Sequence, residues 1–130
     1  MKNNYEISRL IDGEKYASKE SPDLSDIVSY LKVLERKGGC VRLTILNAKD
    51  IGPERLSVEA DDGFYLITLL EYDDNDSNVR SYSIHPKSER EILIRGYYWP
   101  ENQLTTNFDL VVDIFKEFFE TGNVSIERLN

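Results

Sequence analysis

Chemistry in this chain would have to be built from few parts. Its only histidine is His85, followed by Pro86, and its only cysteine is Cys40. Histidine is the one side chain whose ordinary pKa lies near neutrality, and a thiol becomes a good nucleophile only where its surroundings depress its pKa. Cys40 opens the run Cys40-Val41-Arg42-Leu43-Thr44-Ile45-Leu46, an apolar, β-branched context that suits a packed thiol better than a Cys40–His85 dyad. A nucleophile elbow, a zincin motif, a Walker loop and a dinucleotide fingerprint are all missing from the sequence. Two close carboxylates could hydrolyse a glycosidic bond, but among 24 Asp and Glu composition singles out no pair. Asp74, Asp76 and Asn78 repeat the one-three-five spacing of a calcium loop. The sixth position is then Val79, where the sharp turn needs Gly, and the twelfth is His85, where a bidentate Glu belongs. The expectation is a protein that is not an enzyme and needs neither metal nor cofactor.

What the chain has in quantity is negative charge, unevenly placed. The formal net charge is −8 over 130 residues. Residues 1–60 carry 10 basic and 10 acidic side chains, whereas residues 61–130 carry 6 basic and 14 acidic ones. Asp61, Asp62, Glu71, Asp73, Asp74 and Asp76 follow one another with no Lys or Arg between them. Such a surface repels phosphate backbones, so nucleic acid is not an expected partner; a basic protein surface is. The aromatic cluster Tyr97-Tyr98-Trp99-Pro100 would be a binding hot spot if exposed. With Phe115, Phe118 and Phe119 close behind it, packing in the core is the expectation.

The elements that must position these groups follow from the pattern. The length suits one domain, residues 1–130, with a core of its own. Tyr5 to Ile11 alternates as a half-buried strand does, and Asp12-Gly13 makes a turn. Ser21-Pro22-Asp23 starts a helix, with Ser21 as the expected cap, and Leu24, Ile27, Val28, Leu31 and Leu34 form its apolar stripe before Gly38-Gly39 stops it. Strands are predicted over Cys40–Leu46, Arg55–Ala60, Phe64–Leu70, Val79–Ile84 and Glu91–Arg95, with Asp62-Gly63 as a hairpin turn. Phe64–Leu70 is apolar on both faces and reads as the central strand. Asn107 caps a last helix from Phe108 to Thr121, ended by Gly122, with Leu110, Val111, Ile114, Phe115, Phe118 and Phe119 on its buried stripe. The fold class is α+β: a mainly antiparallel sheet of five to six strands, order β-α-β-β-β-β-β-α, with both helices packed on one face. The start of the chain lacks an apolar signal core and no apolar run is long enough to span a bilayer, so a cytoplasmic protein without membrane contact is expected.

Two stretches carry a family resemblance. One runs from Gly96-Tyr97-Tyr98-Trp99-Pro100 through Thr106-Asn107-Phe108-Asp109 and Ile114-Phe115-Lys116-Glu117-Phe118-Phe119 to Thr121-Gly122-Asn123-Val124-Ser125; the other is Asp61-Asp62-Gly63-Phe64-Tyr65-Leu66-Ile67 with Asn78-Val79-Arg80-Ser81-Tyr82. Together they resemble small bacterial immunity proteins of the contact-dependent growth inhibition and polymorphic-toxin kind. What the resemblance implies is an antitoxin that binds a cognate toxin domain, of basic nuclease type, and occludes its active site. Asp61, Asp62, Glu71, Asp73, Asp74 and Asp76 would then face the toxin's cations, with Tyr72 and Tyr82 as aromatic anchors, and the protein would be a monomer or weak homodimer. A self-associating adaptor module is the competing expectation.

Overall fold

The computed structural model describes residues 2–130. Strand β1 (Tyr5–Ile11) turns at Gly13 into β2 (Ala17–Glu20), followed by helix α1 (Leu24–Lys32), whose end tightens into a 3-10 turn at Val33–Glu35. Then come β3 (Gly39–Ile45), β4 (Gly52–Asp61), β5 (Phe64–Tyr72), β6 (Ser77–Ser81), β7 (Glu91–Ile94), β8 (Tyr97–Pro100), β9 (Leu104–Thr105) and helix α2 (Phe108–Thr121). The main sheet is antiparallel, in the order β2-β1-β3-β4-β5-β6. Strand β9 pairs the first half of β5, on the edge whose second half β6 occupies. Strands β7 and β8 form a separate two-stranded ribbon. The chain is therefore α+β with a mainly antiparallel sheet and two helices.

Strand alternation sorts the side chains into two cores. Ile7, Val41, Leu43, Leu56, Val58, Ile67 and Leu69 point to the helices and are fully buried against Ile27 and Leu31 of α1 and Val111, Ile114, Phe115 and Phe118 of α2. The opposite face of β5 carries a second, smaller core, in which Leu66 packs with Ile94 and Leu104 and with the half-buried Phe64, Ile92 and Trp99. This explains the doubly apolar pattern of β5. The strand is not central, however: it lies next to the β6 edge, and its second face is covered by the ribbon and β9.

Other departures have local causes. Helix α1 is capped by Asp23, not Ser21: the Asp23 carboxylate accepts from the Asp26 amide at 2.8 Å while the Asp26 carboxylate accepts from the Asp23 amide at 2.9 Å, satisfying two end donors reciprocally. Ser21 instead takes a left-handed φ of 52°. Strand β2 is short and mostly exposed, so no apolar alternation announces it. Tyr97–Pro100, outside every predicted strand, is a strand, entered through Arg95-Gly96 with φ of 48° and 96°, the paired positive values of a tight hairpin turn.

Candidate functional site

The acidic residues from Asp61 to Asp76 straddle β5, which places them at both of its ends. Asp61 ends β4 and Asp62 follows in the β4–β5 turn, while Asp73 to Asp76 lie in the β5–β6 turn. At about 3.3 Å rise per residue the nine-residue strand holds the two turns some ~27 Å apart, several times the ~8 Å Debye length at physiological salt. They act as two separate features.

At the first end one cation is shared among several acids, and among the described residues neither Asp61 nor Asp62 is ion-paired. Asp61 accepts a hydrogen bond from the Arg95 amide at 2.8 Å, and the Arg95 guanidinium lies 2.8 Å from Asp12 and 3.9 Å from Glu59. Asp62, at φ 49°, and Gly63, at φ 82°, form the tight turn and leave the Asp62 side chain in solvent.

At the second end the carboxylates shape their own loop. Asp73 accepts from the Asn75 and Asp76 amides at 2.9 and 2.8 Å, which holds its pKa below the usual carboxylate range, and Asp76 accepts from the Ser77 amide at 2.8 Å. Gly52 pairs with Tyr72 and Pro53 with Glu71, so Asp50 and Glu54 flank the same end. The Glu54 carboxylate beside the Tyr72 hydroxyl pushes that phenol's pKa up. Asp50, Asp73, Asp74 and Asp76 are all exposed, and among the described residues none is ion-paired. Glu71 is different. Its carboxylate lies 3.5 Å from the Arg80 guanidinium and 3.4 Å from the Asn78 amide nitrogen, so it is engaged inside the fold. Tyr82 is half-buried against the main core, and its amide donates to the Ile67 carbonyl at 3.2 Å. Of the eight residues expected to meet a partner, Tyr72, Asp73, Asp74 and Asp76 share one accessible end, Asp61 and Asp62 share the other, and Glu71 and Tyr82 serve the fold.

The aromatic cluster divides too. Trp99 turns inward to the second core, but Tyr97 and Tyr98 are 74% and 66% exposed, and Leu93 lies opposite Tyr98 on the outer face of the ribbon. The expectation of core packing fails for two reasons: the strand period turns Tyr98 to the face opposite Trp99, while Tyr97, on the Trp99 face across from Ile94, sits beside the β7–β8 turn at the end of the ribbon and stays exposed. Sequence reasoning could have found this outer face by reading Arg95-Gly96 as a hairpin turn.

Cys40 is buried on β3, and burial pushes its thiol up; the charged groups beside it are Arg42, Glu59 and Arg95. His85 lies in an exposed stretch between β6 and β7, preceding a cis proline. Among the described residues no three His, Cys, Asp or Glu side chains converge as a metal cage, and no helix is long and apolar enough to cross a membrane.

A crystal structure of a hypothetical protein from Neisseria gonorrhoeae has the same fold, with a TM-score of 0.81 at 20% identity over 95% of this chain and 91% of that one. No curated protein matches the chain. Residues 4–128, which take in both cores, the ribbon and both acidic turns, match a family of unknown function, and the chain belongs to that family, DUF6911.

Proposed function

We propose that this protein is an immunity-type antitoxin, a binding protein that uses its acidic β5–β6 end to occlude a basic toxin domain in the cytoplasm. The observation that supports this reading is the unpaired charge there: Asp73, Asp74 and Asp76 project from a hairpin stiffened by its own amide-to-carboxylate bonds, with Asp50 and Glu54 alongside. A preformed loop loses little conformational freedom on binding, and its field steers a cationic cleft onto it. Asp61 and Asp62 lie too far away to join the same contact and would touch only a partner large enough to span β5.

The test is growth protection against the toxin domain encoded beside the gene. Wild-type protein should restore growth, and the Asp73→Asn, Asp74→Asn, Asp76→Asn triple variant should protect less at equal abundance. Absence of a toxin-domain neighbour, or no protection by the wild type, overturns the proposal.

A second reading has an observation of its own. Leu93 and Tyr98, paired across the ribbon, form an exposed apolar pair on its outer face, as a self-associating adaptor would need. Salt-insensitive dimerisation abolished by Tyr98→Ser would favour that reading over the first.

A further inference from the structure

An open groove runs along one flank of helix α1, with Arg9 of β1 beside it, and the acidic turns do not share it. Its volume is about 730 Å³, within the range of small-molecule sites, roughly 300–1,000 Å³. Ile27 and Leu31 of the α1 stripe are committed to the main core, but Leu24, Val28 and Val33 stay half-buried on the helix flank and form an apolar floor. Ser25 and Ser29 add hydroxyls, and Arg9, Lys32 and Arg36 add three cations.

These cations are poorly matched inside the protein. Among the described residues Lys32 and Arg36 have no ion pair. Arg9 reaches over the groove from β1 with its guanidinium 4.8 Å from the centre of the Tyr30 ring; its Nε is buried without a hydrogen-bond partner. Glu14 is the acid nearest to Arg9, at 4.0 Å, and its other oxygen is held by Lys37 at 2.9 Å. Asp26, at the far end of the helix, is paired with Lys19 at 3.0 Å. Glu35 lies toward Tyr65, whose pKa is raised by burial first and by the Glu35 charge second. The negative end of the α1 macrodipole, worth about half a charge, opposes an anion but does not cancel the two unpaired charges of Lys32 and Arg36.

A chain with net charge −8 therefore gathers three cations, two of them without an ion pair among the described residues, in one apolar-floored place. Guanidinium groups present planar, paired donors that match a carboxylate or phosphate, and the floor can bury only an apolar body. We propose that this groove binds a small amphiphilic anion, a carboxylate or phosphate monoester on an aliphatic or aromatic body, with Arg9, Lys32 and Arg36 holding the head and Leu24, Val28 and Val33 the body. The site is independent of the antitoxin reading, because it lies on α1 and β1 and uses none of the acidic residues.

Amide NMR titration of the full chain tests it, with decanoate below its micelle concentration, inorganic phosphate, decanol, and vesicles of phosphatidylglycerol as probes. Decanoate should saturate with shifts confined to Arg9 and residues 24–36, and bind at least about tenfold more tightly than phosphate or decanol. Lys32→Gln with Arg36→Gln should weaken decanoate about tenfold while the rest of the spectrum is unchanged, since both side chains are exposed. Val28→Ser should weaken decanoate and leave phosphate unaffected. Equal binding of phosphate or decanol, shifts centred elsewhere, indifference to the double variant, or attachment to vesicles without saturable decanoate binding would each overturn the proposal.

Discussion

Replacing Arg80 with Met should be among the most damaging single changes in this protein, although Arg80 touches no candidate partner surface. The side chain is only 8% exposed and acts as a clamp on the end of the chain. Its Nε and Nη2 donate to the Leu129 carbonyl at 3.0 and 2.8 Å, Nη2 also donates to the Val124 carbonyl, and Nη1 donates to Asn123 Oδ1 at 3.0 Å. Glu71 supplies the counter-charge. One charge-assisted bond is worth about 1.5–3 kcal/mol, and breaking a buried pair costs about 3–5 kcal/mol. Glu71 is partly exposed and can rehydrate, and the bonds share one guanidinium and do not add, so the expected loss is about 3–4 kcal/mol. For a chain of this length that lowers the melting temperature by roughly 10–15 °C. Arg80→Lys should lose less, because it keeps the charge and a single point of donation but not the fork. The local signature is separate. Ser81 and Asn130 exchange backbone hydrogen bonds at 3.4 and 3.2 Å along the β6 edge, so their amides should lose hydrogen-exchange protection in the Met variant before the sheet does. A stability change under about 1 kcal/mol in urea titration, with those amides still protected, would refute the clamp.

Phe118→Ala should cost about 3–5 kcal/mol in denaturant titration through lost burial and a residual cavity, because Phe118 is fully buried and stacks edge-on with Tyr5 at 5.9 Å. Charge removal at Asp73, Asp74 and Asp76 should leave the melting temperature within about 3 °C while slowing association with a basic partner; wild-type association should slow as salt rises, and surface-plasmon kinetics showing neither effect would reduce the turn to a solubility feature. Acid should destabilise the protein in a defined window. Asp26 and Asp73 lie below their ordinary value of 3.8 and Glu14 below 4.5, so their stabilisation is complete above those values and is lost as pH falls through the lower folded ones. Urea midpoints should therefore be flat from pH 7 to about 5 and fall below it, less steeply in Asp26→Asn.

The parts of this fold that were legible in the sequence are those where burial writes a period. Helix α2 is found with its Asn107 cap and Gly122 stop because Val111, Ile114, Phe115 and Phe118 repeat with the helical turn over fourteen residues, and β1 is found because its alternation faces a covered and an uncovered side. Strand β2 could not be read that way: Ser18, Lys19 and Glu20 are exposed and held by pairing to β1 and by the Lys19–Asp26 ion pair. The ribbon escaped for a related reason. Ile92, Ile94 and Trp99 point inward, yet Leu93 and Tyr98 are apolar too and point outward, so hydrophobicity does not mark the covered face. Position along the chain also misled about charge. Asp61 and Asp73 are close in sequence because β5 joins them, and the same strand keeps them far apart in space.

That separation bears on how the protein could work. Sequence order suggests one acidic surface, but the fold makes two: an end at Asp61, where the Arg95 amide holds one carboxylate and its guanidinium bridges Asp12 and Glu59, and an end at Asp73 to Asp76 where the carboxylates bond only the amides of their own loop. Glu71 belongs to neither, since it is bound to Arg80 and through it to the chain end. The acidic hairpin and the Arg80 clamp are thus mechanically joined: Asn78 and Arg80 on β6 both reach Glu71 at the hairpin's base. Loss of the clamp frees the β6 edge that fixes the hairpin's direction. In Arg80→Lys, if the protein remains folded at the assay temperature, partner dissociation should accelerate even though no charge in the β5–β6 turn has changed. Unaltered kinetics in that variant would show that the hairpin presents its carboxylates without support from the chain end.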